Sequence, residues 1–153
     1  MQDAPNFPLN DFQIGPEWEK AVRVSWAALA EWRSFIIGVD GRAGIGKSVF
    51  ARYLSFRLNM PVIELDNFKT GNGLIAHSAC ANELVSRRHE RNRPVIIEGV
   101  LLQDILATMG RSADFLIRFV KPEDDGPDEF LSACEDYEMR TSPDLIVSAT
   151  HLD

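Results

Sequence analysis

The most informative segment of this sequence is Gly41-Arg42-Ala43-Gly44-Ile45-Gly46-Lys47-Ser48, which matches G-x-x-x-x-G-K-[ST] at every fixed position. It directly follows the apolar run 35–39 and directly precedes a helical pattern over 47–58. Glycines let successive backbone N–H groups turn inward toward an anion. The start of the following helix adds the positive end of its dipole. The segment is therefore predicted to be a phosphate-binding loop, the alternative being an ordinary glycine-rich turn.

The two polar residues that end this segment have distinct expected roles. Lys47 is expected to place its ammonium group at the β and γ phosphates of a nucleoside triphosphate, and the Ser48 hydroxyl to ligate Mg²⁺. The expected cofactors are therefore ATP and Mg²⁺. The residues predicted to bind the nucleotide are Gly41, Arg42, Ala43, Gly44, Ile45, Gly46, Lys47 and Ser48.

Short apolar runs alternate with helical patterns along the rest of the chain. Most runs show no polar–apolar alternation, which is typical of parallel strands covered on both faces. The predicted strands are Phe35–Val39, Val62–Leu65, Val95–Ile97, Phe115–Val120 and Leu145–Val147. The predicted intervening helices are 47–58, 76–91, 101–109 and 128–140. This order predicts an α/β fold of the P-loop NTPase type, a doubly wound five-stranded parallel sheet with helices on both faces.

The sequence ahead of the first strand divides into an arm and a helix. Residues 1–13 contain prolines and polar residues and are predicted to be an N-terminal arm without its own core. A helix is predicted over 16–33, because Trp18, Val22, Trp26 and Leu29 recur at steps of three and four. Packing of Trp18 and Trp26 in the core is favoured over a base-stacking role. Residues 14–153 are expected to form a single domain.

Acidic residues follow the second and third predicted strands. The carboxyl ends of parallel strands open on the same side of a sheet, so Asp66 and Glu98 are expected near the phosphate-binding segment. Asp66 could act as a general base toward an attacking hydroxyl, or simply cap a turn or helix. Glu98 closes an apolar strand, where a second anchor for Mg²⁺ is expected.

Three segments together resemble one known family. They are GVDGRAGIGKS (38–48), ELDNFK (64–69) and VIIEGVLL (95–102), and the resemblance spans about residues 34–148. The sequence is similar to the uridine kinase-like branch of the P-loop kinases, which includes uridine/cytidine and pantothenate kinases. The resemblance implies that Asp66 is the catalytic base, that Phe68 lines the acceptor pocket and that Glu98 helps to hold Mg²⁺.

The sequence departs from that family where a lid rich in arginine is expected. The segment Lys121–Pro127 and the helix after it are dominated by carboxylates. Transfer of a phosphoryl group needs positive charge at its transition state. Arg140 is the best candidate to supply it, and Arg42 could either compensate or face solvent. Arg118 lies inside the fourth strand and could be purely structural.

The region for an acceptor substrate is short and ambiguous. His77, on the loop after the second strand, is a candidate contact for the substrate. A basic cluster could bind an anionic acceptor, but solvation at the end of a helix is the favoured interpretation. Its members are Arg87, Arg88, His89, Arg91 and Arg93.

Composition narrows the possible partners and location. The 153 residues carry a net charge of −7, which disfavours extended nucleic acid as a partner. No apolar run is long enough for a membrane span, and residues 1–13 do not resemble a signal peptide. A cytoplasmic location without membrane contact is expected, with Cys80 and Cys134 as buried thiols. A homodimer is possible, since a second subunit could complete the pocket for the base.

These patterns together favour an ATP-dependent phosphotransferase that moves the γ-phosphoryl group to a hydroxyl of a small molecule, such as a nucleoside. Two alternatives remain open. One is a nucleotide-binding module with little or no kinase activity. The other is a P-loop toxin or an antibiotic-modifying kinase, which would share the chemistry and differ in its acceptor.

Overall fold

Five parallel strands form the centre of the molecule. The computed structural model describes residues 14–68, 78–121 and 131–148. The strands lie side by side in the order β2-β3-β1-β4-β5. Every neighbouring pair is parallel. The strands are β1 (Ile36–Asp40), β2 (Val62–Glu64), β3 (Val95–Glu98), β4 (Phe115–Val120) and β5 (Leu145–Ser148).

Helices connect successive strands and cover both faces of the sheet. A short 3-10 helix, Leu65–Phe68, also follows β2. The predicted α/β class with a five-stranded parallel sheet is therefore confirmed, and α2 has the predicted bounds. The helices are α1 (Pro16–Leu29), α2 (Lys47–Leu58), α3 (Ser78–Glu90), α4 (Leu102–Thr108) and α5 (Leu131–Arg140).

The two faces of the sheet have separate apolar cores. On the face of α1 and α2, Trp18 packs edge-on against Phe50 with 5.3 Å between ring centroids, and Phe50 stacks on Phe119 at 5.2 Å. On the other face, α3 and α4 contribute Val85 and Leu102, both fully buried. Because β1 lies in the middle of the sheet between these cores, its carboxyl end is held rigidly.

The predicted helix 16–33 is wrong at its end. The helix stops at Leu29 because Ala30 leaves the helical region with φ 61°. The side chain of Arg33 then folds back, and its Nε donates to the Leu29 carbonyl at 3.1 Å. The same carbonyl accepts from the Glu31 amide at 2.7 Å, so two donors outside the helix bind the last carbonyl of α1.

Two expectations of burial are also wrong. Trp26 is 49% exposed, and Ser25 is fully buried in its place. Successive residues turn by about 100° in an α-helix, so residue 25 lies about 20° from the direction of Trp18, whereas residue 26 lies about 80° away. Cys80 is exposed, whereas Cys134 is buried as expected.

Several expectations concern residues outside the described ranges. They are the N-terminal arm 1–13, the loop 69–77, the acidic segment 122–130 and the C-terminal residues 149–153. Among the helices that the structure describes, none has both the length and the apolar character needed to cross a membrane.

Candidate functional site

The segment Gly41–Ser48, called the phosphate loop below, connects the carboxyl end of β1 to α2. Three of its glycines have backbone conformations that other residues rarely adopt, with φ of 143° at Gly41, 75° at Gly44 and 91° at Gly46. Gly41 also lies against the neighbouring strand, where a Cβ atom would stand 2.4 Å from the carbonyl oxygen of Phe119. The sequence therefore folds locally into a tight turn that ends at the first residue of α2.

Side chains from the phosphate loop and from β3 converge on one buried carboxylate. The Lys47 ammonium lies 2.6 Å from Glu98 Oε1, and the Ser48 hydroxyl donates to Glu98 Oε2 at 3.2 Å. Lys47 is 4% exposed and Glu98 is fully buried. The Gly99 amide donates to the Val39 carbonyl at 3.1 Å, which fixes the end of β3 beside the end of β1. Three residues predicted from the sequence are thus brought together.

The oxygen atoms in this cluster fit a small divalent cation. Glu98 Oε1 accepts no well-aligned hydrogen bond, although the Lys47 ammonium is in ionic contact with it. The Ser48 hydroxyl is the second oxygen beside it. Within the described residues, no group of three or more His, Cys, Asp or Glu side chains could hold a metal. Mg²⁺ commonly binds through one or two protein oxygens and takes its other ligands from phosphates and water, and Glu98 with Ser48 meets that requirement.

The same architecture occurs in solved structures of kinases. One is a possible uridine kinase from Bacillus stearothermophilus, with 19% identity, coverage of 85% of this chain and 96% of that chain, and a TM-score of 0.54. Another is a gluconokinase from Sinorhizobium meliloti 1021, with 15% identity, coverage of 80% and 86%, and a TM-score of 0.54. The chain shares the fold of these two structures, a five-stranded parallel sheet with helices on both faces. No protein-family model and no curated protein sequence matches it.

A buried ion pair lies beneath the phosphate loop. Arg118 binds both oxygens of the Asp40 carboxylate, at 3.0 and 2.8 Å, and donates to Thr141 Oγ1 at 2.7 Å. The Tyr137 hydroxyl donates to the same carboxylate at 2.8 Å and accepts from the backbone amide of Gln103 at 3.0 Å. Burial, together with the charge of Asp40, raises the pKa of Tyr137 well above its usual value. The residue just before the loop is therefore bonded to β4, and through Tyr137 to α4 and α5.

The sequence contains an indication of this ion pair, although the pair was not among the predictions. Asp40 ends one apolar strand and Arg118 interrupts another. The two face each other across the register of β1 and β4. A charged side chain inside a buried strand must be paired, because an isolated buried charge is strongly destabilising.

The helix α5 is bonded to the phosphate loop and to α4. Arg42 forms a two-pronged ion pair with Glu138, at 2.9 and 3.0 Å. Arg140, the predicted lid arginine, binds Asp104 at 2.7 and 2.9 Å and Asp136 at 3.0 Å. These hydrogen bonds raise the pKa of Arg140 above its usual value. In this arrangement Arg140 connects α5 to α4 rather than to the phosphate loop.

The candidate acceptor residues follow β2, which is an edge strand of the sheet. Asp66 and Phe68 belong to the 3-10 helix after β2, and β3 separates that strand from β1. Asp66 is exposed, whereas Phe68 is half-buried and packs against the core beneath α3 and α4. Both therefore lie at the carboxyl end of the strands, as does Glu98. His77 lies outside the described residues.

The basic cluster lies at the other end of the sheet, because the end of α3 leads into the start of β3. Arg87 pairs with Glu83 one helical turn earlier, at 2.8 Å. Arg88 donates to the Pro94 carbonyl at 3.0 and 3.2 Å. Arg87 is exposed, whereas Arg88 and His89 are half-buried, so only part of the cluster is solvated as expected.

Proposed function

We propose that the chain is a Mg²⁺-dependent phosphotransferase, which moves the γ-phosphoryl group of ATP to a hydroxyl of a small molecule, with a nucleoside or similar metabolite as the acceptor. The observation that carries the proposal is the convergence of Lys47 and Ser48 on buried Glu98, directly behind a glycine-rich turn. The P-loop kinase fold supports the same class of reaction.

In the proposed reaction, each residue acts at a defined atom. The ammonium of Lys47 exchanges the Glu98 carboxylate for β and γ phosphate oxygens, which frees Glu98 and Ser48 for the metal. When bound, Mg²⁺ would neutralise part of the negative charge of the phosphates. Asp66 accepts the proton of the acceptor hydroxyl while the oxygen of that hydroxyl bonds to the γ-phosphorus. The bond from the γ-phosphorus to the bridging oxygen breaks, and ADP leaves with that oxygen.

Calorimetric titration with ATP, with and without Mg²⁺, tests the phosphate loop and its metal. Lys47→Ala should weaken binding of Mg-ATP by about tenfold or more, because one charge-assisted contact to phosphate is lost. Glu98→Gln should remove most of the dependence on Mg²⁺. Glu64→Gln is the matched control, since Glu64 lies opposite Glu98 in the β2–β3 register but pairs with Arg52. Wild-type protein without Mg²⁺-dependent affinity for any triphosphate would disprove the proposal.

Catalysis requires a separate measurement with acceptors. ADP release should be measured with pooled nucleosides, vitamins and sugars, and then with single compounds from an active pool. Asp66→Asn should lower turnover by about 100-fold or more while binding of Mg-ATP stays unchanged, as expected for loss of a general base. Unchanged turnover in Asp66→Asn would remove the assigned role of this residue.

One structural observation favours a second candidate, a nucleotide-binding module with little or no transferase activity. Arg42, Arg118 and Arg140 each bind a carboxylate within the described part of the chain. Positive charge committed in this way does not stabilise a transferring phosphoryl group. Tight binding of Mg-ATP with no ADP release for any acceptor would favour the module over the kinase.

A further inference from the structure

The end of the molecule farthest from the phosphate loop has a groove with unusual chemistry. It lies where α1 and α2 end and where the turn into β1 begins. Its volume is about 470 Å³, and the residues that line it include Val22, Arg23, Trp26, Trp32, Arg57 and Leu58. The phosphate loop is at the start of α2 and the groove at its end, so the two are separated by the 12 residues of that helix. At 1.5 Å per residue, the separation is about 18 Å.

Two tryptophans leave large apolar surfaces open at this groove. Trp26 is 49% exposed and Trp32 is 37% exposed, whereas Trp18 is buried in the core at 3%. On α1 the buried position is occupied by Ser25 and not by Trp26. An indole that stays in solvent beside a second indole provides flat apolar walls for a ligand.

Arginines surround the two indoles. Arg23 is exposed and, within the described part of the chain, forms no hydrogen bond or ion pair. The Arg93 guanidinium lies 5.9 Å from the centre of the Trp32 ring. Arg57 is held in place by Glu19 and by the Tyr53 hydroxyl. The two charged residues that line the groove, Arg23 and Arg57, are therefore both basic, and Glu19 is the carboxylate that interacts with each of them.

We propose that this groove is a second ligand site, which binds a small planar aromatic ring that carries a phosphate or carboxylate group. The ring packs against Trp26 and Trp32, and Arg23 pairs with the anion. The volume fits a small molecule, because ligand sites commonly measure roughly 300–1,000 Å³. The net negative charge of the chain disfavours a longer polyanion. The site is independent of the proposed phosphotransferase activity.

Nuclear magnetic resonance of the three indole N–H groups tests this inference, with AMP as the probe. The titration uses the Lys47→Ala variant without Mg²⁺, so that binding at the phosphate loop is weakened. The signals of Trp26 and Trp32, assigned with Trp26→Phe and Trp32→Phe, should shift to saturation while that of Trp18 stays still. Adenosine should bind about three- to tenfold more weakly than AMP, because it lacks the anion, and inorganic phosphate should cause little shift.

A matched pair of variants separates specific recognition from general charge. Arg23→Gln should reduce the affinity for AMP to that for adenosine, whereas Arg87→Gln, on the exposed face of α3, should leave it unchanged. A second titration with benzoate tests whether a carboxylate can take the place of the phosphate. No saturable shift with either AMP or benzoate would overturn the proposal, as would equal effects of the two arginine variants. Shifts that follow protein concentration instead of ligand would identify a surface for self-association, and would also overturn it.

Discussion

At the scale of single residues, Gly41 determines how closely the phosphate loop approaches the sheet. A Cβ atom at this residue would stand only 2.4 Å from the Phe119 carbonyl oxygen, and the φ of 143° is one that residues other than glycine rarely adopt. Gly44 also has a positive φ, of 75°, but a Cβ atom there would meet nothing within 4 Å. Gly41→Ala should therefore lower the free energy of unfolding by about 2–3 kcal/mol, and Gly44→Ala by only about 1 kcal/mol.

Urea denaturation of both variants measures this difference. The two substitutions add the same methyl group to the same loop, so a general effect of replacing glycine cancels between them. Equal losses of stability would show that contact with β4 does not limit residue 41.

At the scale of elements, α5 influences the phosphate loop through its charges. Glu138 pairs with Arg42 inside the loop, and it places a negative charge where an anionic nucleotide is proposed to bind. Glu138→Gln should increase the affinity for Mg-ATP by about fivefold, since it removes that negative charge from the edge of the phosphate loop. A calorimetric titration with Mg-ATP measures the change.

Asp136→Asn is the control for that prediction. It removes the same charge from the same helix, but Asp136 pairs with Arg140 and not with the loop. Its affinity for Mg-ATP should stay within about twofold of wild type, because an exposed charge outside the site is screened. If the two variants bound equally well, only net charge would matter, and the Arg42–Glu138 contact would have no specific role.

The elements also show which parts of the structure the sequence could predict. Continuous apolar runs identified all five strands, and burial on both faces of the sheet accounts for those runs in β1, β3 and β4. The convergence of Lys47, Ser48 and Glu98 followed from one rule, that the carboxyl ends of parallel strands meet on the same side. The exposure of Trp26 could not be predicted, since a stripe with steps of three and four fits two neighbouring helix faces equally well.

At the scale of the whole molecule, pairings between distant residues were the least predictable part. Arg140 was expected at the transferring phosphoryl group, yet it binds Asp104 on α4. Asp40 and Arg118 are 78 positions apart, and only the strand order makes them neighbours. The sequence indicates that buried charges need partners of opposite sign. It does not indicate which of the 16 basic and 23 acidic residues pair with one another. The choice depends on the tertiary structure.

The stability of the whole molecule should depend on pH through His89. Its imidazole lies at the end of α3, with Nε2 buried and Nδ1 3.4 Å from Arg111, and Asp114 is the acidic group nearby. Burial, with a smaller effect of Arg111, lowers the pKa of His89 in the folded state. The unfolded chain therefore binds more protons as the pH falls toward and below about 6.5, so stability should be complete only above about pH 7 and should decrease as acid is added.

His89→Gln isolates this effect. The wild type and the variant share His77 and His151, so the contributions of those residues cancel in the difference between the two free energies of unfolding. Urea titrations from pH 8 to pH 5.5 should show the stability of wild type, relative to the variant, constant above about pH 7 and lower at each step below it. A constant difference over the whole range would mean that the folded state binds a proton at His89 as readily as the unfolded chain does.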